Sequence, residues 1–322
     1  MDIKTIGVLT SGGDAPGMNA AVRAVVRTAV SLGFNVKGIR HGYNGLIEDD
    51  IIDLNVRSVS GIIQRGGTFL YTARSPKFVT EEGQQIAVET CKRHGIDGIV
   101  VVGGDGSFRG ALDLSARGIP CIGIPGTIDN DIASTDYTIG FDTALNTAIE
   151  MVDRLRDTTQ SHERCSVVEV MGRHAGWLAL DVGFAAGAVA ILVPEIKFDL
   201  QKDVIDKILE VKKTGKEHFI VVVAEGAGSA SEFAPIIEHV TGIKTRATVL
   251  GHVQRGGAPT VRDRTIASLM GYAAVQLLKN GKSNRVVAMR DNKIVDFDIN
   301  EALAMKKPFD MNDYKIADTI SI

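Results

Sequence analysis

Short apolar runs recur along the chain, and segments with helical periodicity lie between many of them. Six runs, each flanked by glycine or proline, are predicted to be buried strands: residues 6–9, 99–102, 121–124, 167–170, 190–193 and 219–223. Residues 141–156 give the clearest predicted helix, because Ala144, Ala148 and Val152 share one face. A second helix is predicted over 204–211. This alternation is typical of an α/β protein with a parallel sheet.

The length of 322 residues corresponds to about two domains. No stretch of low complexity separates two halves, and no repeat has a fixed period. The two domains are therefore expected to share a tight interface. The tetrapeptide Gln-Arg-Gly-Gly does occur twice, at 64–67 and 254–257. Two matches of four residues do not establish a duplication, and we interpret them as coincidence or similar turn chemistry.

Composition and charge exclude several classes of function. The chain has 36 Lys and Arg against 39 Asp and Glu, a net charge of −3, which leaves no basic excess to follow a nucleic-acid backbone. No apolar run approaches the length of a membrane span, and no signal or transit peptide is expected after Met1. The scattered Cys91, Cys121 and Cys165 fit neither a disulfide framework nor a zinc site, so we expect a cytoplasmic location. The 35 glycines predict many tight turns or close approaches.

Two glycine turns each follow a predicted strand and precede a helix. In the first, at 10–19, Gly12 and Gly13 would let backbone N–H groups approach an anion at a helix N-terminus. A plain strand-to-helix turn is the alternative. In the second, at 103–107, Asp105 is a candidate ligand for a Mg²⁺ that bridges two phosphates. The alternative is that Asp105 only caps the helix.

A third segment, at 125–131, places a hydroxyl and two carboxylates directly after the strand at 121–124. Alternation in an extended piece would point Thr127, Asp129 and Asp131 to one face. A general base that deprotonates an alcohol must be a positioned acceptor of this kind. The alternative is a loop in which the Asp and Asn side chains form turns with their own backbone.

Arginines supply most of the remaining polar positions. Arg164 and Arg173 lie on either side of the strand at 167–170, Arg246 lies in the segment Thr-Arg-Ala-Thr at 245–248, and Arg255 lies in the glycine-containing segment 251–257. Arginine binds phosphate bidentately, although most arginines are simply solvated surface residues. Nearly all of these features lie at the carboxyl ends of predicted parallel strands, where open α/β sheets bind ligands. Together they predict phosphoryl transfer to a hydroxyl group.

At this point the residues are specific enough to indicate a family. Residues 10–19, 64–70, 103–107, 125–131, 171–173 and 246–257 resemble the bacterial ATP-dependent 6-phosphofructokinases, nearly from end to end. The resemblance implies two α/β/α sandwich domains, Rossmann-like with mainly parallel sheets, and an active site in the cleft between them. It also implies an ATP-binding domain of 1–139 plus 251–304 and a fructose 6-phosphate-binding domain of 140–250 plus 305–322.

The resemblance further implies roles for individual residues. Asp129 looks like the base that takes the proton from the 1-hydroxyl of fructose 6-phosphate. Thr127, Arg173 and the backbone at Gly13 would stabilise the transferring phosphoryl group, and Asp131 would help to place the base. The expected ATP contacts are Gly13, Tyr43, Arg74, Ser75, Gly104, Asp105, Gly106 and Ser107. Of these, Tyr43 would lie near the adenine and Asp105 would face Mg²⁺. The expected fructose 6-phosphate contacts are Thr127, Ile128, Asp129, Arg164, Met171, Gly172, Arg173, Glu225, Arg246, His252 and Arg255.

Assembly and phosphoryl donor also follow from the resemblance. Arg164 and Arg246 are similar to arginines that reach the 6-phosphate from a neighbouring subunit, so we expect a homotetramer with shared active sites. Pyrophosphate-dependent relatives carry Asp where Gly106 stands and Lys where Gly126 stands, and glycine at both positions favours ATP. A catalytically silent regulatory subunit would be expected to lose Asp129, which is present. An NAD or lipid kinase would share the Gly-Gly-Asp-Gly turn but would not be expected to carry the sugar-phosphate arginines.

The effector site is where the chain departs from the family. The positions that match the family's pocket for ADP or phosphoenolpyruvate are Arg23, Arg27, Arg156, Gly187, Lys216 and His218. An acidic residue that ligates a nucleotide-bound metal is replaced by Val189, and cations are replaced by Val56, Thr214 and Glu217. Because these changes remove a metal ligand and weaken attraction for phosphate, we expect weakened or absent ADP activation and altered phosphoenolpyruvate inhibition.

Overall fold

The computed structural model describes residues 3–321, in which helices alternate with strands. The strands are β1 Thr5–Thr10, β2 Asn35–Ile39, β3 Ile51–Leu54, β4 Gly98–Gly103, β5 Cys121–Pro125, β6 Cys165–Val170, β7 Ala190–Leu192, β8 Phe219–Ala224, β9 Thr245–Val249, β10 Arg285–Arg290 and β11 Lys293–Asp298. The helices are α1 Met18–Ser31, α2 Tyr43–Glu48, α3 Glu81–Arg93, α4 Asp105–Ala116, α5 Phe141–Ser161, α6 Trp177–Ala185, α7 Lys207–Lys212, α8 Ala230–Thr241, α9 Val261–Lys279, α10 Ile299–Ala304 and α11 Met311–Ile320. Short 3₁₀ helices cover Lys77–Val79 and Gly251–Arg255, and a π-helix covers Gln201–Asp206.

The chain divides into two compact units. Unit 1 contains the residues up to Ile128, Ile132–Thr143 and Arg255–Lys307, and unit 2 contains Asp129–Asp131, Ala144–Gln254 and the residues from Pro308 onward. The main divisions therefore fall after residues 143, 254 and 307, where the resemblance implied divisions after 139, 250 and 304. What each unit binds stays a prediction at this stage.

Unit 1 is built on a seven-stranded sheet in the order β11-β10-β5-β4-β1-β2-β3. Its five inner strands pair in parallel, and the edge strands β3 and β11 pair antiparallel. Every residue of β1 and β4 is buried, as expected for a parallel sheet covered on both faces. Phe108 and Leu114 of α4 pack into the core of this unit beside Leu9 of β1. The glycine turns that follow β1 and β4 are thus supported by a rigid core.

Unit 2 carries a smaller sheet of four parallel strands in the order β7-β8-β6-β9. All six residues of β8 are buried, and Phe219, Val221 and Val223 pack against apolar side chains of the π-helix, α7 and α8. The edge strand β9 is partly exposed. The two sheets confirm the predicted α/β class with mainly parallel strands.

The predicted elements differ from the observed ones in a few places. The six predicted strands are confirmed as β1, β4, β5, β6, β7 and β8, with β7 ending one residue early at Leu192. Helix α5 begins at the predicted residue and continues to Ser161. The helix predicted over 204–211 is confirmed, but Gln201–Asp206 is π-helical and the α-helical part, α7, begins only at Lys207. Polar residues such as Lys37 in β2 and Arg246 in β9 interrupt the apolar pattern, so these strands gave no signal.

The two copies of Gln-Arg-Gly-Gly meet in the fold. A Cβ atom on Gly66 would lie 2.3 Å from the carbonyl oxygen of Gly257, so the two turns pack backbone against backbone. Only glycine permits this approach at position 66. The match therefore has a structural basis in this contact, although it is no evidence of duplication.

The cysteines are buried and free, at Cys91, Cys121 and Cys165, and burial raises the pKa of each thiol. Side chains in this state pack as small apolar groups. Between residues 3 and 321, no helix combines the length and the apolar character needed to span a bilayer.

Candidate active site

The first glycine turn joins β1 to α1 in unit 1. Ser11 N–H donates to the carbonyl oxygen of Val102 at 2.9 Å, which ties the turn to β4. A Cβ atom on Gly13 would lie 2.6 Å from Nη1 of Arg255, whose guanidinium donates to the carbonyl oxygen of Asp14 at 2.9 Å. Glycine at position 13 therefore leaves the room that the Arg255 guanidinium occupies. Arg255 and Gly13, expected in the fructose 6-phosphate and ATP sets respectively, are brought together.

The second glycine turn joins β4 to α4 and is linked to the first. Ser107 Oγ donates to the carbonyl oxygen of Ser11 at 3.2 Å, and a Cβ atom on Gly103 would lie 2.5 Å from the same oxygen. Around Gly104 and Gly106, by contrast, no atom lies within 4 Å of the Cβ position. The first turn of α4 thus has open space beside Gly104 and Gly106, at the positive end of the helix, where phosphate binds in other α/β proteins.

Asp105 lies in the first turn of α4 and does not cap the helix. The N-cap residue is Gly104, where no side-chain hydrogen bond is made, so the capping alternative for Asp105 is wrong. Burial raises the pKa of Asp105, and the nearby Arg109 opposes this shift. A carboxylate beside a phosphate-binding turn suits Mg²⁺, a hard cation that takes oxygen ligands and usually keeps phosphate and water among them. Asp105 therefore fits the metal position that the sequence predicted for it.

Tyr43 is buried in the core and forms a hydrogen bond with the second glycine turn. Its hydroxyl donates to the carbonyl oxygen of Ser107 at 2.6 Å, and its ring stacks on Phe78 with centroids 4.2 Å apart. The residue is only 5% exposed, and burial raises the pKa of its hydroxyl. Because Phe78 covers one face of the Tyr43 ring, an adenine cannot stack on that face. What the structure shows directly for Tyr43 is its hydrogen bond to the second glycine turn.

The segment that follows β3 reaches back to the first turn. Thr72 Oγ1 donates to the carbonyl oxygen of Gly12 at 2.8 Å, and Thr10 Oγ1 donates to that of Tyr71 at 2.6 Å. Arg74 and Ser75 follow Thr72 by two and three residues, so these bonds bring them near the first turn. Arg74 is exposed and Ser75 is half-buried. Sequence reasoning missed Thr72, since a lone threonine far along the chain gives no signal.

The third segment is anchored where β5 ends. Gly126 N–H donates to the carbonyl oxygen of Gly103 at 3.0 Å, and Thr127 N–H donates to that of Ile139 at 3.1 Å. The prediction that residues 127–131 alternate as an extended piece is wrong, because the backbone bends at Ile128 and Asn130 is left-handed with φ 49°. Accordingly, the three polar residues have different exposures: Thr127 is half-buried, Asp129 is 5% exposed and Asp131 is exposed.

Unit 2 holds a tight turn directly after β6. Glu225 Oε1 accepts from the N–H groups of Gly172 at 3.2 Å and of Arg173 at 2.6 Å. Gln254, which is fully buried, accepts from Met171 N–H at 2.9 Å. Arg173 is left-handed with φ 55° and its side chain is exposed. Glu225, which was expected to contact the sugar, fixes the backbone that presents Arg173. Gln254 is a partner that sequence reasoning missed.

Arg164 and Arg246 lie at the opposite end of the strands in the same sheet. Arg164 immediately precedes β6, and Arg246 pairs with Ser166 near the start of that strand. The turn with Arg173 follows the end of β6, whose 6 residues at about 3.3 Å each separate the two ends by roughly 20 Å. Arg164 therefore lies just before its strand, as the sequence indicated, and Arg246 lies near the same end of the sheet. His252 is exposed in the 3₁₀ helix Gly251–Arg255.

The expected effector residues form two cationic groups, one in each unit. Burial and the neighbouring Arg27 lower the pKa of Arg23 in α1. In unit 2, burial lowers the pKa of Lys216 and of His218, and the positive charge of Arg156 adds to both shifts. Arg156 also donates to the carbonyl oxygen of Ala186, next to the left-handed Gly187.

The replaced effector positions differ in burial and charge. Val189 is 1% exposed and belongs to the core of unit 2, and Thr214 Oγ1 donates to the carbonyl oxygen of Val211 at the end of α7. Glu217 and Val56 are exposed. In unit 2 the structure thus brings Arg156, Lys216 and His218 together, and the position expected to be acidic is held by the buried Val189.

Two linked glycine turns lie at the carboxyl ends of parallel strands, and one of them leads into a helix with an acidic residue in its first turn. This arrangement is typical of α/β enzymes of phosphoryl transfer. Residues 5–278 match the family described as phosphofructokinase. The chain belongs to the phosphofructokinase family.

Relatives resemble the chain over its whole length. The ATP-dependent 6-phosphofructokinase of Clostridium tetani (strain Massachusetts / E88) is 58% identical over 99% of this chain and 100% of its own. That of Clostridium botulinum (strain Hall / ATCC 3502 / NCTC 13319 / Type A) is 57% identical with the same coverage.

Solved structures resemble it as well. Phosphofructokinase from Saccharomyces cerevisiae is 36% identical with a TM-score of 0.87, and the match covers 93% of this chain but only 45% of that one. A pyrophosphate-dependent phosphofructokinase from Marinobacter aquaeolei is 26% identical with a TM-score of 0.86, over 97% of this chain and 88% of its own.

Proposed function

We propose that this chain transfers the γ-phosphoryl group of MgATP to the 1-hydroxyl of fructose 6-phosphate, giving fructose 1,6-bisphosphate and ADP. The full-length relatives named ATP-dependent 6-phosphofructokinase support this activity. The observation that carries the choice of donor is the open space at Gly106 in the first turn of α4. A nucleotide has room to continue past its β-phosphate there, so a pyrophosphate donor is not favoured.

The donor phosphates would bind to backbone N–H groups of the two linked turns. Gly13 lies in the first turn, Gly104, Gly106 and Ser107 belong to the second, and the exposed Arg74 with its neighbour Ser75 is proposed to line the nucleotide. Asp105 would hold Mg²⁺ together with phosphate oxygens, and that ion would neutralise charge on the leaving diphosphate. The remainder of the electrostatic stabilisation would come from N–H groups and the helix N-terminus of α4.

The proposed base is the Asp129 carboxylate. It accepts the proton of the sugar 1-hydroxyl as that oxygen attacks the γ-phosphorus, and the bond from this phosphorus to the bridging oxygen of ADP breaks. Thr127, Arg173 and the N–H of Gly13 stabilise the transferring group, and Asp131 helps to place the base. Burial of Asp129 to 5% exposure keeps water away from this proton transfer.

The sugar phosphate would be held largely by unit 2. The turn Met171–Gly172–Arg173 supplies backbone and a guanidinium, and Glu225 fixes that turn through two N–H groups. Ile128, His252 and Arg255 complete the proposed set. Since one Glu225 oxygen already binds two backbone donors, its contribution to the sugar is to hold the turn and to offer its second oxygen to a hydroxyl.

A homotetramer with shared active sites is the proposed assembly. Arg164 precedes β6 and Arg246 pairs with Ser166 near its start, whereas the turn of Arg173 follows its end. In the proposed mechanism Arg173 acts on the transferring phosphoryl group, and Arg164 and Arg246 bind the 6-phosphate in a neighbouring subunit. Their position at the other end of β6 is consistent with these separate roles.

The proposed effector site is weakened toward ADP. The cations Arg156 and Lys216, with His218 beside them, would still attract an anion such as phosphoenolpyruvate, but Val189 is buried and cannot ligate a nucleotide-bound metal. We expect millimolar ADP to leave the kinetics nearly unchanged. Restoration of hyperbolic kinetics by ADP in a clearly sigmoidal, inhibited enzyme would contradict this expectation.

The test is a coupled assay of initial rates with fructose 6-phosphate and Mg²⁺, comparing ATP with pyrophosphate. Turnover with ATP alone is expected, and turnover only with pyrophosphate would refute the donor. Asp129→Ser should lower kcat by about 10² or more with nucleotide binding preserved, since a general base and its charge act on the transition state. Near-normal turnover of that variant would remove Asp129 from the mechanism, and no turnover of the native chain with either donor would favour a silent subunit.

A further inference from the structure

A fully buried carboxylate lies in the first turn of α9, outside every residue set assigned above. Asp263 is 0% exposed, and its N–H donates to Thr260 Oγ1 at the helix cap at 3.3 Å. Oδ1 accepts from Tyr137 Oη at 2.6 Å and from Gly140 N–H at 2.7 Å. Oδ2 accepts from Thr143 N–H at 2.9 Å and from Thr143 Oγ1 at 2.5 Å. Four donors from one short segment, residues 137–143, therefore converge on this one side chain.

The same segment holds the end of β5 from its other side. Gly126 and Ile139 form a parallel bridge, in which Thr127 N–H donates to Ile139 oxygen at 3.1 Å and Ile139 N–H donates to Pro125 oxygen at 3.0 Å. Thr138 Oγ1 adds a hydrogen bond to the carbonyl oxygen of Thr127 at 2.7 Å. Both the N–H and the carbonyl group of Thr127 are thus fixed by residues 138 and 139, which lie between the Tyr137 and Gly140 anchors of Asp263.

We propose that Asp263 is a positioning residue for phosphoryl transfer, which acts by fixing residues 137–143 and through them Thr127. This inference rests on the proposed function, in which Thr127 stabilises the transferring group. Asp263 itself touches no reacting atom.

The chemistry requires an ionised carboxylate at this position. Burial raises the pKa of Asp263, and the four donors oppose this shift because they stabilise the charged form. In Asp263→Asn, which has the same shape, the NH₂ group would point at the two donors that now bind one carboxylate oxygen. Because a backbone N–H cannot accept a hydrogen bond, at least one of the four hydrogen bonds would be lost. The buried, ionised Asp263 carboxylate thus holds residues 137–143 in one defined position.

The experiment compares Asp263→Asn with the native chain in the ATP assay, with melting temperatures measured in parallel. We expect kcat to fall by about 10², because a displacement of about 1 Å at a reacting group costs that much. The KM values for ATP and fructose 6-phosphate should stay within about threefold, since Thr127 is proposed to act on the transition state. Tyr137→Phe removes one of the four donors and should lower kcat about fivefold with the same unchanged KM values.

The matched control is Thr159→Val, which breaks the buried hydroxyl pair of Thr159 and Ser166 in unit 2 and should lower the melting temperature without lowering kcat. Native turnover in the same assay tests the proposed function separately. The inference is overturned if folded Asp263→Asn keeps kcat within twofold of the native value, or if its kcat and KM change together. Should Asp263→Asn fail to fold, an unchanged kcat in Tyr137→Phe overturns it equally.

Discussion

Gly106→Asp is the sharpest test of how the chain selects its phosphoryl donor. Gly106 is the second residue of α4, and no atom lies within 4 Å of the position its Cβ would take. An aspartate therefore fits without moving a neighbour. A carboxylate in the first turn of a helix is favourable by about 0.3–1 kcal/mol, and replacing glycine within a helix adds a similar gain. The fold should be at least as stable as before, so any loss of activity has to arise in binding or catalysis.

The size of the effect follows from Coulomb's law. At an effective dielectric constant of about 20, two unit charges about 5 Å apart repel by roughly 3 kcal/mol. Because about 1.4 kcal/mol corresponds to a tenfold change, kcat/KM for MgATP should fall by roughly 10². The measurement is the initial rate of fructose 1,6-bisphosphate formation over a range of MgATP concentrations, with the melting temperature recorded for each variant.

Gly106→Asn is the matched control, because it has nearly the same shape without the charge. The asparagine variant should retain most of the activity. Equal losses in both variants would show that crowding and not charge acts at this position. Full activity of Gly106→Asp would show that the nucleotide does not pass over Gly106, and the structural basis for the choice of ATP would be refuted.

Two further predictions concern other positions. Gly126→Lys should destabilise the chain by about 1–3 kcal/mol without conferring use of pyrophosphate, because a Cβ there would already lie 3.1 Å from Met18, and a melting curve with a pyrophosphate assay checks this. A gain of pyrophosphate turnover would show that the site can repack. Burial, Lys216 and Arg156 lower the pKa of His218 from 6.5, so the folded state binds fewer protons than the unfolded chain and stability falls as pH drops below about 6.5. His218→Gln should flatten the melting temperature between pH 8 and pH 5.5, and parallel curves for the two proteins would contradict this sign.

The parts of the site that lie next to each other in sequence could be predicted from sequence. Strand, glycine turn and helix follow one another directly at Gly13 and at Asp105, so the local pattern is enough to predict this arrangement. The partners that fix these turns are remote: Thr72 binds Gly12 across 60 residues and Gln254 binds Met171 across 83. Such pairings depend on strand order, which a single sequence does not encode locally.

The placement of Arg164 and Arg173 could also be predicted. They lie at opposite ends of one strand because β6 runs between them, and apolar periodicity predicted that strand. By contrast, the left-handed Asn130 breaks an alternation that the residue types alone favoured. Backbone conformation at a single residue was decisive there, and propensity is too weak to predict it.

The interleaving of the two units has a consequence for how the chain is made. Helix α1 ends at Ser31, but α9, whose Gly271 would place a Cβ 2.8 Å from the carbonyl oxygen of Ala21, begins only at Val261. At about 5–20 residues per second, a ribosome takes on the order of 10–50 s to synthesise the intervening chain. Throughout that time α1 lacks its partner, and β5 remains an open edge until β10 emerges from Arg285 onward. A nascent or C-terminally truncated chain therefore exposes core residues of α1 and β5, which are synthesised early. Protection by chaperones would be most needed before the last forty or so residues are added.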